Sequence, residues 1–240
     1  MFIKPSISIF MLSLATTGLV QAAEQEGPKG MSGSAEFGMI LTSGNSDSST
    51  LNGKFALTND TAQWLHTASL DLVRAESENV KTAERFVLNA KSNYKLQDDQ
   101  FLFVGLKHDI DKFSGFDYQT SLTAGYGRKL YDTDQYKLSV EIGPGYRISK
   151  LKAGGDDNEA ILHLGATSKY IINKASSLDG ALVIDSGSSQ TITALALGYV
   201  NSLSDSLALK IGYNLKHSSD VPAGSKKSDS ITSVSLIYSF

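Results

Sequence analysis

Read backwards from its last residue, the chain alternates. From Ser230 to Phe240 one set of positions holds Ser230, Thr232, Val234, Leu236, Tyr238 and Phe240, and the interleaved set holds Ile231, Ser233, Ser235, Ile237 and Ser239. Upstream, Leu207, Leu209, Ile211, Tyr213 and Leu215 oppose Ala208, Lys210, Gly212, Asn214 and Lys216. A period of two is that of an extended strand whose faces meet unlike surroundings. The same alternation sets Tyr136, Leu138, Val140, Ile142, Tyr146 and Ile148 against Lys137, Ser139, Glu141, Gly143, Gly145, Arg147 and Ser149, and it recurs around Leu122 and Leu88. No apolar repeat of helical period lasts as long as an ordinary helix.

Turn residues recur at intervals of roughly 15 to 20 residues and mark out strands at 33–43, 48–59, 62–75, 82–96, 100–112, 116–131, 135–150, 158–171, 175–186, 190–201, 204–217 and 227–240. The fold class this predicts is all-β, a transmembrane antiparallel β-barrel of about 12 strands. Faces this polar are hard to bury in a sandwich core, whereas a barrel in lipid requires an apolar outer wall around a wet lumen. On that reading Lys91, Lys95, Lys129, Lys137, Glu141, Arg147, Lys210 and Lys216 face the lumen. Tyr131, Tyr136, Tyr170, Tyr199, Tyr238 and Phe240 form a membrane-facing aromatic girdle at the rim that carries both termini. Connections at that rim are tight, at Asn59–Thr61, Gln97–Asp99, Asp132–Asp134, Asn173–Lys174 and Ser202–Leu203. The alternate set at Glu76–Lys81, Phe113–Gly115, Lys152–Asp157 and Ser218–Lys226 reads as longer on average, with short exceptions near Gly44–Asn45 and Gly187. Twelve strands tilted by about 40° would make a cylinder roughly 24 Å across.

The first residues add a location. Lys4, the apolar stretch Ile7 to Val20 and Gln21-Ala22-Ala23 before Glu24 read as a secretory signal peptide, residues 1–22, cut after Ala22 or Ala23. A short polar lead at 23–32 precedes a barrel at 33–240. The signal's apolar core is shorter than the roughly 20 residues of a spanning helix, and no later run is as apolar, so the spanning elements have to be strands. Removing the signal takes away Lys4 and no acid, which lowers the net charge from −3 by one unit and gives no reason to expect nucleic acid as a partner. The chain has no cysteine, as suits maturation in an oxidising periplasm without disulfides. Ten Phe, ten Tyr, 21 Gly and only four Pro fit a sheet with tight turns. The expected location is the outer membrane of a Gram-negative bacterium, with outer-membrane lipid as partner and small polar solutes or ions as what a lumen would admit.

Several stretches together carry a resemblance. They are the turn Gly44 to Ser46 followed by Thr50, the run DIDKFSGFDY from Asp109 to Tyr118, Thr123-Ala124-Gly125-Tyr126-Gly127, Gly143-Pro144-Gly145-Tyr146, and an ending in which Pro222 and a Lys-Ser-Asp-Ser run precede Leu236 to Phe240. In that order they resemble the uncharacterised salt-induced outer membrane proteins of the YdiY-like family. The resemblance implies an outer-membrane location and a link to salt or acid stress, without an established activity. The terminal Phe240 also looks like the signal read by the outer-membrane assembly machinery.

Catalytic and metal chemistry find little purchase. Among His66, His108, His163 and His217 no pair has the HExxH spacing, and without cysteine a soft-metal site is excluded, so no metal or cofactor is expected. No GxSxG, Walker A or dinucleotide motif occurs. A hydrolase would need a serine beside an oriented histidine, for which His163 with Ser149 or Ser139 is the paper candidate. Asp156, Asp157 and Glu159, next to Gly154-Gly155, form a candidate loop for weak external cation binding, although the calcium-loop spacing is missing. Three functions therefore compete: a narrow passive channel for ions or small polar solutes, a closed structural or stress-response barrel, and an outer-membrane hydrolase.

Overall fold

The computed structural model describes residues 30–42, 48–221 and 226–240. The signal peptide, residues 23–29 of the polar lead, the Gly44–Asn45 turn and Pro222 lie outside the described residues.

The alternation is realised as twelve strands: β1 (Gly30–Thr42), β2 (Ser48–Asp60), β3 (Trp64–Ser77), β4 (Val80–Lys95), β5 (Gln100–Asp111), β6 (Phe116–Asp132), β7 (Tyr136–Leu151), β8 (Asp156–Asn173), β9 (Ser176–Gly187), β10 (Thr191–Ser202), β11 (Leu207–Ser218) and β12 (Ser228–Ser239). Each pairs antiparallel with its neighbours in sequence, and β1 pairs with β12, so the sheet closes on itself. Closure matters because an unpaired row of backbone N–H and C=O groups is costly in lipid. The apolar set of each strand lies outside: Phe37, Leu51, Leu72, Leu102, Val104, Leu122, Ile142, Leu164, Leu197, Ile211 and Leu236 are all exposed. Buried positions are mostly polar and point inward, among them Gln119, Ser121, Thr123, Arg147, Ser149, His163, Asp185 and Ser235. The molecule is thus inverted relative to a water-soluble domain, as a wall between lipid and a polar interior requires.

Two local departures from the regular pattern have physical causes. β3 and β4 run on to Ser77 and Val80, so the longer loop expected at Glu76–Lys81 is a two-residue turn in which Glu78 and Asn79 adopt φ of 52° and 60°. Such left-handed pairs match the twist of flanking hairpin strands. The expected length difference between the two rims therefore rests mainly on the connection between β11 and β12. In β6 the register shifts between Lys129 and Tyr131. That bulge lets Leu130 and Tyr131, consecutive residues that a regular strand would send to opposite faces, both lie exposed.

Gly125 and Gly143 face each other across β6 and β7: a Cβ at Gly143 would run into the Ala124 carbonyl, and one at Gly125 into that of Ile142. On the lumen side the space above β6 is taken from β5, where buried Phe103 and Phe101 stand opposite Gly125 and Gly127.

The barrel is not a round cylinder. In the closed order β5 and β11 lie on opposite walls, yet Lys216 Nζ of β11 is 3.0 Å from Asp109 Oδ2 of β5. With bonds near 1.5 Å, a lysine, an aspartate and that contact span at most about 13 Å between Cα atoms, well short of the roughly 24 Å of a circular section. The walls are drawn together at that level.

Candidate functional site in the barrel interior

At the end that carries both termini, the lumen holds a cavity of about 730 Å³ whose lining includes Asp60, Lys91, Lys95, Phe101, Lys129 and Glu141. Lys95 spans from β4 to Asp60 of β2 and to the Thr61 carbonyl, 2.7 Å away. At the inner limit, Lys91 of β4 pairs with Glu141 of β7, three strands away, a contact only the interior allows. Its ammonium also lies 5.1 Å from the Phe103 ring centre and 6.0 Å from that of Phe101, within reach of cation–π attraction. The charge chain continues: Glu141 Oε1 is 3.1 Å from His163 Nε2, and His163 Nδ1 is 2.6 Å from Asp185 Oδ1. Both ring nitrogens face carboxylate oxygens, and an imidazolium, which donates from both, satisfies the pair together.

Further along the axis, Asp109 gathers cations from both walls. Arg85 of the adjacent β4 donates through Nε and Nη2 to its two oxygens at 2.8 and 2.7 Å, and Lys216 arrives from the far wall. Lys107, two residues earlier on β5 and of the same parity as Asp109, has no carboxylate within salt-bridge distance among the described residues.

Nearer the other mouth, Arg147 of β7 is 1% exposed and pairs with Glu159 of β8. The same guanidinium donates to the Gln190 carbonyl, whose residue lies in the turn between β9 and β10. Gln119 Nε2 donates to Ser149 Oγ and Gln190 Oε1, and the Ser189 amide donates to Glu159 Oε2 at 2.7 Å, so this turn is stitched to β6, β7 and β8. Arg147 Nε and Nη1 are buried without a partner among the described residues, an expensive arrangement.

The residues singled out from the sequence fall into distinct places. Lys91, Lys95, Lys129 and Glu141 line the cavity at the terminal end. Lys137 sits at its rim, 3.6 Å from Asp132, which also accepts Lys129 at 2.8 Å. Arg147 and Lys216 hold the pairs described above, and Lys210 reaches Glu36 of β1 at 2.9 Å. On the outer wall near the terminal end, Tyr131, Tyr136 and Tyr170 form a row of mutually tilted rings, with ring centres 5.4 and 6.4 Å apart. Tyr238 and Phe55 flank Phe240 at 6.1 and 6.2 Å, and Tyr199, outward on β10, donates to Ser176 Oγ. Trp64 and Tyr94, 4.9 Å apart, join the same rim although the sequence reading did not single them out.

Asp156, Asp157 and Glu159 are not brought together. β8 begins at Asp156, so these residues are already strand: Asp156 lies on one face and pairs with Lys150, whereas Asp157 and Glu159 share the other, where Asp157 accepts Ser189 Oγ and Glu159 accepts the Ser189 amide and pairs with Arg147. Neither Ser149 nor Ser139 meets His163, whose partners are Asp185 and Glu141. His66, His108 and His217 each touch the hydroxyl directly opposite on the next strand, Ser92, Thr120 and Ser228, ordinary cross-strand pairing. Asp185 and the aromatic pair Phe101 and Phe103 were missed. The signal for Asp185 was present, since it is the charge that ends the apolar run Ala181-Leu182-Val183-Ile184.

A closed antiparallel sheet with a polar, charged interior and an apolar, aromatic-rimmed exterior defines a transmembrane β-barrel of the outer-membrane kind. The chain belongs to the DUF481 family, described as proteins of unknown function, whose profile matches residues 35–240. It is 25% identical over 218 residues to the uncharacterized protein YdiY of Escherichia coli (strain K12), covering 88% of this chain and 84% of that protein. Among solved structures it is similar to an outer membrane channel from Pseudomonas putida F1, with a TM-score of 0.53, 11% identity and coverage of 91% of this chain and 97% of the other. It is likewise similar to the NanC porin, with a TM-score of 0.50, 12% identity and coverage of 86% and 97%. The translocator domain of the autotransporter NalP from Neisseria meningitidis also gives 0.50, at 12% identity with 90% of each chain covered. At these identities the likeness is one of fold.

Proposed function

We propose that this protein is an outer-membrane channel for ions and small polar solutes, closed at rest by ion pairs that reach across its lumen. The observation that carries this reading is the nature of the barrier. Among the described residues, the cavity at the terminal end and a second of about 350 Å³ at the other mouth are separated by side chains, centred on Lys216, Asp109 and Arg85, rather than by a folded segment. Side chains rearrange far faster than backbone segments, and charged rings at a constriction select ions. The tight turns and termini belong at the periplasmic side, as in other barrels of this kind, and the strand ending in Phe240 is what the assembly machinery would engage. The salt or acid stress implied by the family resemblance is the condition under which such a pore would matter.

Lys216→Ala tests the reading, because Asp109 keeps its two bonds from Arg85 and the wall stays intact. In planar bilayers the protein should give small, brief conductance steps, and Lys216→Ala should raise the mean conductance at least about twofold, with heat-modifiable migration reporting the folded barrel. Absence of conductance and of liposome swelling for both proteins would discard the channel. That result would instead favour a closed structural barrel, for which the buried Arg147–Glu159 pair is the specific support.

A further inference from the structure

Three neighbouring residues on the lumen wall carry hydrogen-bond donors that no described residue uses. Lys107 of β5 stands opposite Ser121 of β6, and Ser121 stands opposite Arg147 of β7, so the three form one lateral row. Arg147 and Ser121 are buried, and Lys107 shares the inward parity of Asp109. Arg147 is almost wholly enclosed, yet its Nε and Nη1, which carry three N–H bonds between them, have no partner among the described residues. Ser121 Oγ makes no hydrogen bond with a described residue, and Lys107 makes neither a hydrogen bond nor a salt bridge with one.

The neighbouring acceptors are already engaged. Glu159, opposite Arg147 on β8, takes Arg147 Nη2 and the Ser189 amide. Asp109, two residues from Lys107, takes Arg85 and Lys216. Beyond Lys107 the row ends at Asn89 of β4, whose amide is turned the other way, to Ser69 and Asp71.

This pattern selects a kind of ligand. Lysine and arginine only donate, so a water placed among them would still need acceptors for its own hydrogens, whereas an anion accepts from every member of the row. Along the row two cations face one carboxylate, and a desolvated charge without a counterpart is costly. Adjacent strands lie about 4.8 Å apart, which sets the Cα atoms of Lys107 and Arg147 roughly 10 Å from one another. Both side chains are long enough to reach a point over Ser121. The next row toward the termini, Gly105, Thr123 and Gly145, adds little bulk to this wall. Arg147 and Ser121 are too enclosed for an extended ligand.

We propose that Lys107, Ser121 and Arg147 form a binding site for a small monovalent inorganic anion, of chloride's size, which accepts from the guanidinium and from Ser121 Oγ and is balanced by the Lys107 ammonium. The site does not require the barrel to conduct, so failure of the channel reading leaves it standing, and the reverse.

Bromide, which scatters X-rays anomalously, reports the site directly. Crystals of the mature barrel grown in bromide should show an anomalous peak within hydrogen-bond distance of Arg147 Nε or Nη1 and of Ser121 Oγ, and crystals of Lys107→Met should lose it. In solution, a ligand that binds only the folded state lowers the unfolding equilibrium constant in proportion to its concentration once the site is filled. A tenfold rise in chloride, replacing gluconate at fixed ionic strength so that screening stays constant, should therefore lower that constant about tenfold. In Lys107→Met, which removes a charge without stranding another, the response should shrink below about twofold. Lys174→Met removes the same charge from the exposed turn between β8 and β9 and should respond as the parent does. Two results would each overturn the proposal: ordered density at Arg147 without anomalous signal, which would be a water, or a chloride response in Lys107→Met equal to the parent's.

Discussion

Arg147 and Glu159 meet where neither touches solvent, and their pairing shows how charge is tolerated inside this wall. A buried pair gains little over an apolar substitute, but breaking it leaves one charge stranded. Glu159→Gln should therefore lower stability by about 3 kcal/mol, measured by urea unfolding in lipid vesicles, and the double change R147M/E159L should recover most of that loss. A Glu159→Gln protein as stable as the parent would show that the guanidinium is served by water instead. The inward aim of Arg147 is readable from alternation alone. That of Glu159 is obscured because Gly154-Gly155-Asp156-Asp157 reads as a hairpin tip, which groups Glu159 with the acidic loop although the strand at 158–171 already includes it. Counting back by twos from His163 through Ile161 recovers it, since inward positions on β8 keep one parity.

At the level of elements, strand positions follow the alternation closely, and the departures occur where turn chemistry is unusual. The Glu78–Asn79 turn is the clearest case, because glutamate is a poor residue for a left-handed position whereas asparagine tolerates it. A loop was expected there for want of the usual Asn-Gly or Asp-Gly signal. Glu78→Asn should raise stability by about 0.5–1 kcal/mol in the same unfolding assay by relieving that strain, and an unchanged or lowered stability would mean that the contacts of Glu78 outweigh it. The bulge at Lys129 and Tyr131 is a second departure: Leu130 and Tyr131 side by side gave a parity conflict in the sequence, and the extra residue resolves it. The facing glycines of β6 and β7 are a third. Their presence inside strands was evident, but their opposition across the ladder depends on register.

For the whole molecule the deciding feature is closure. The β1–β12 junction is short, so each pair in it carries more of the closure than a pair elsewhere. Phe240 contributes both backbone bonds with Gly33 and ring contacts with Phe55 and Tyr238. Deleting Phe240 should at least halve the fraction that migrates as a heat-modifiable folded barrel after refolding into vesicles, while Phe240→Tyr, which keeps the backbone bonds and an aromatic ring, should fold as the parent does. Equal folding of the truncated chain would show that the Ser34 to Gly38 ladder suffices alone.

Side-chain period and turn chemistry are local properties of a chain, and they determined what the sequence by itself could: twelve strands, their approximate ends, their antiparallel order, and the two faces of each strand wherever the alternation is unbroken. Distance across the lumen is not local. Lys216 and Asp109, 107 residues apart, meet because opposite walls are drawn together. Lys91 finds Glu141, and His163 lies between two carboxylates, because strands remote in sequence share one interior. Only the tertiary structure decided that the lumen is pinched rather than round, and that the last junction stops halfway. Both depend on how the sheet curves to meet itself, a sum of twists and bulges over all twelve strands to which each segment contributes a little and which no single segment specifies.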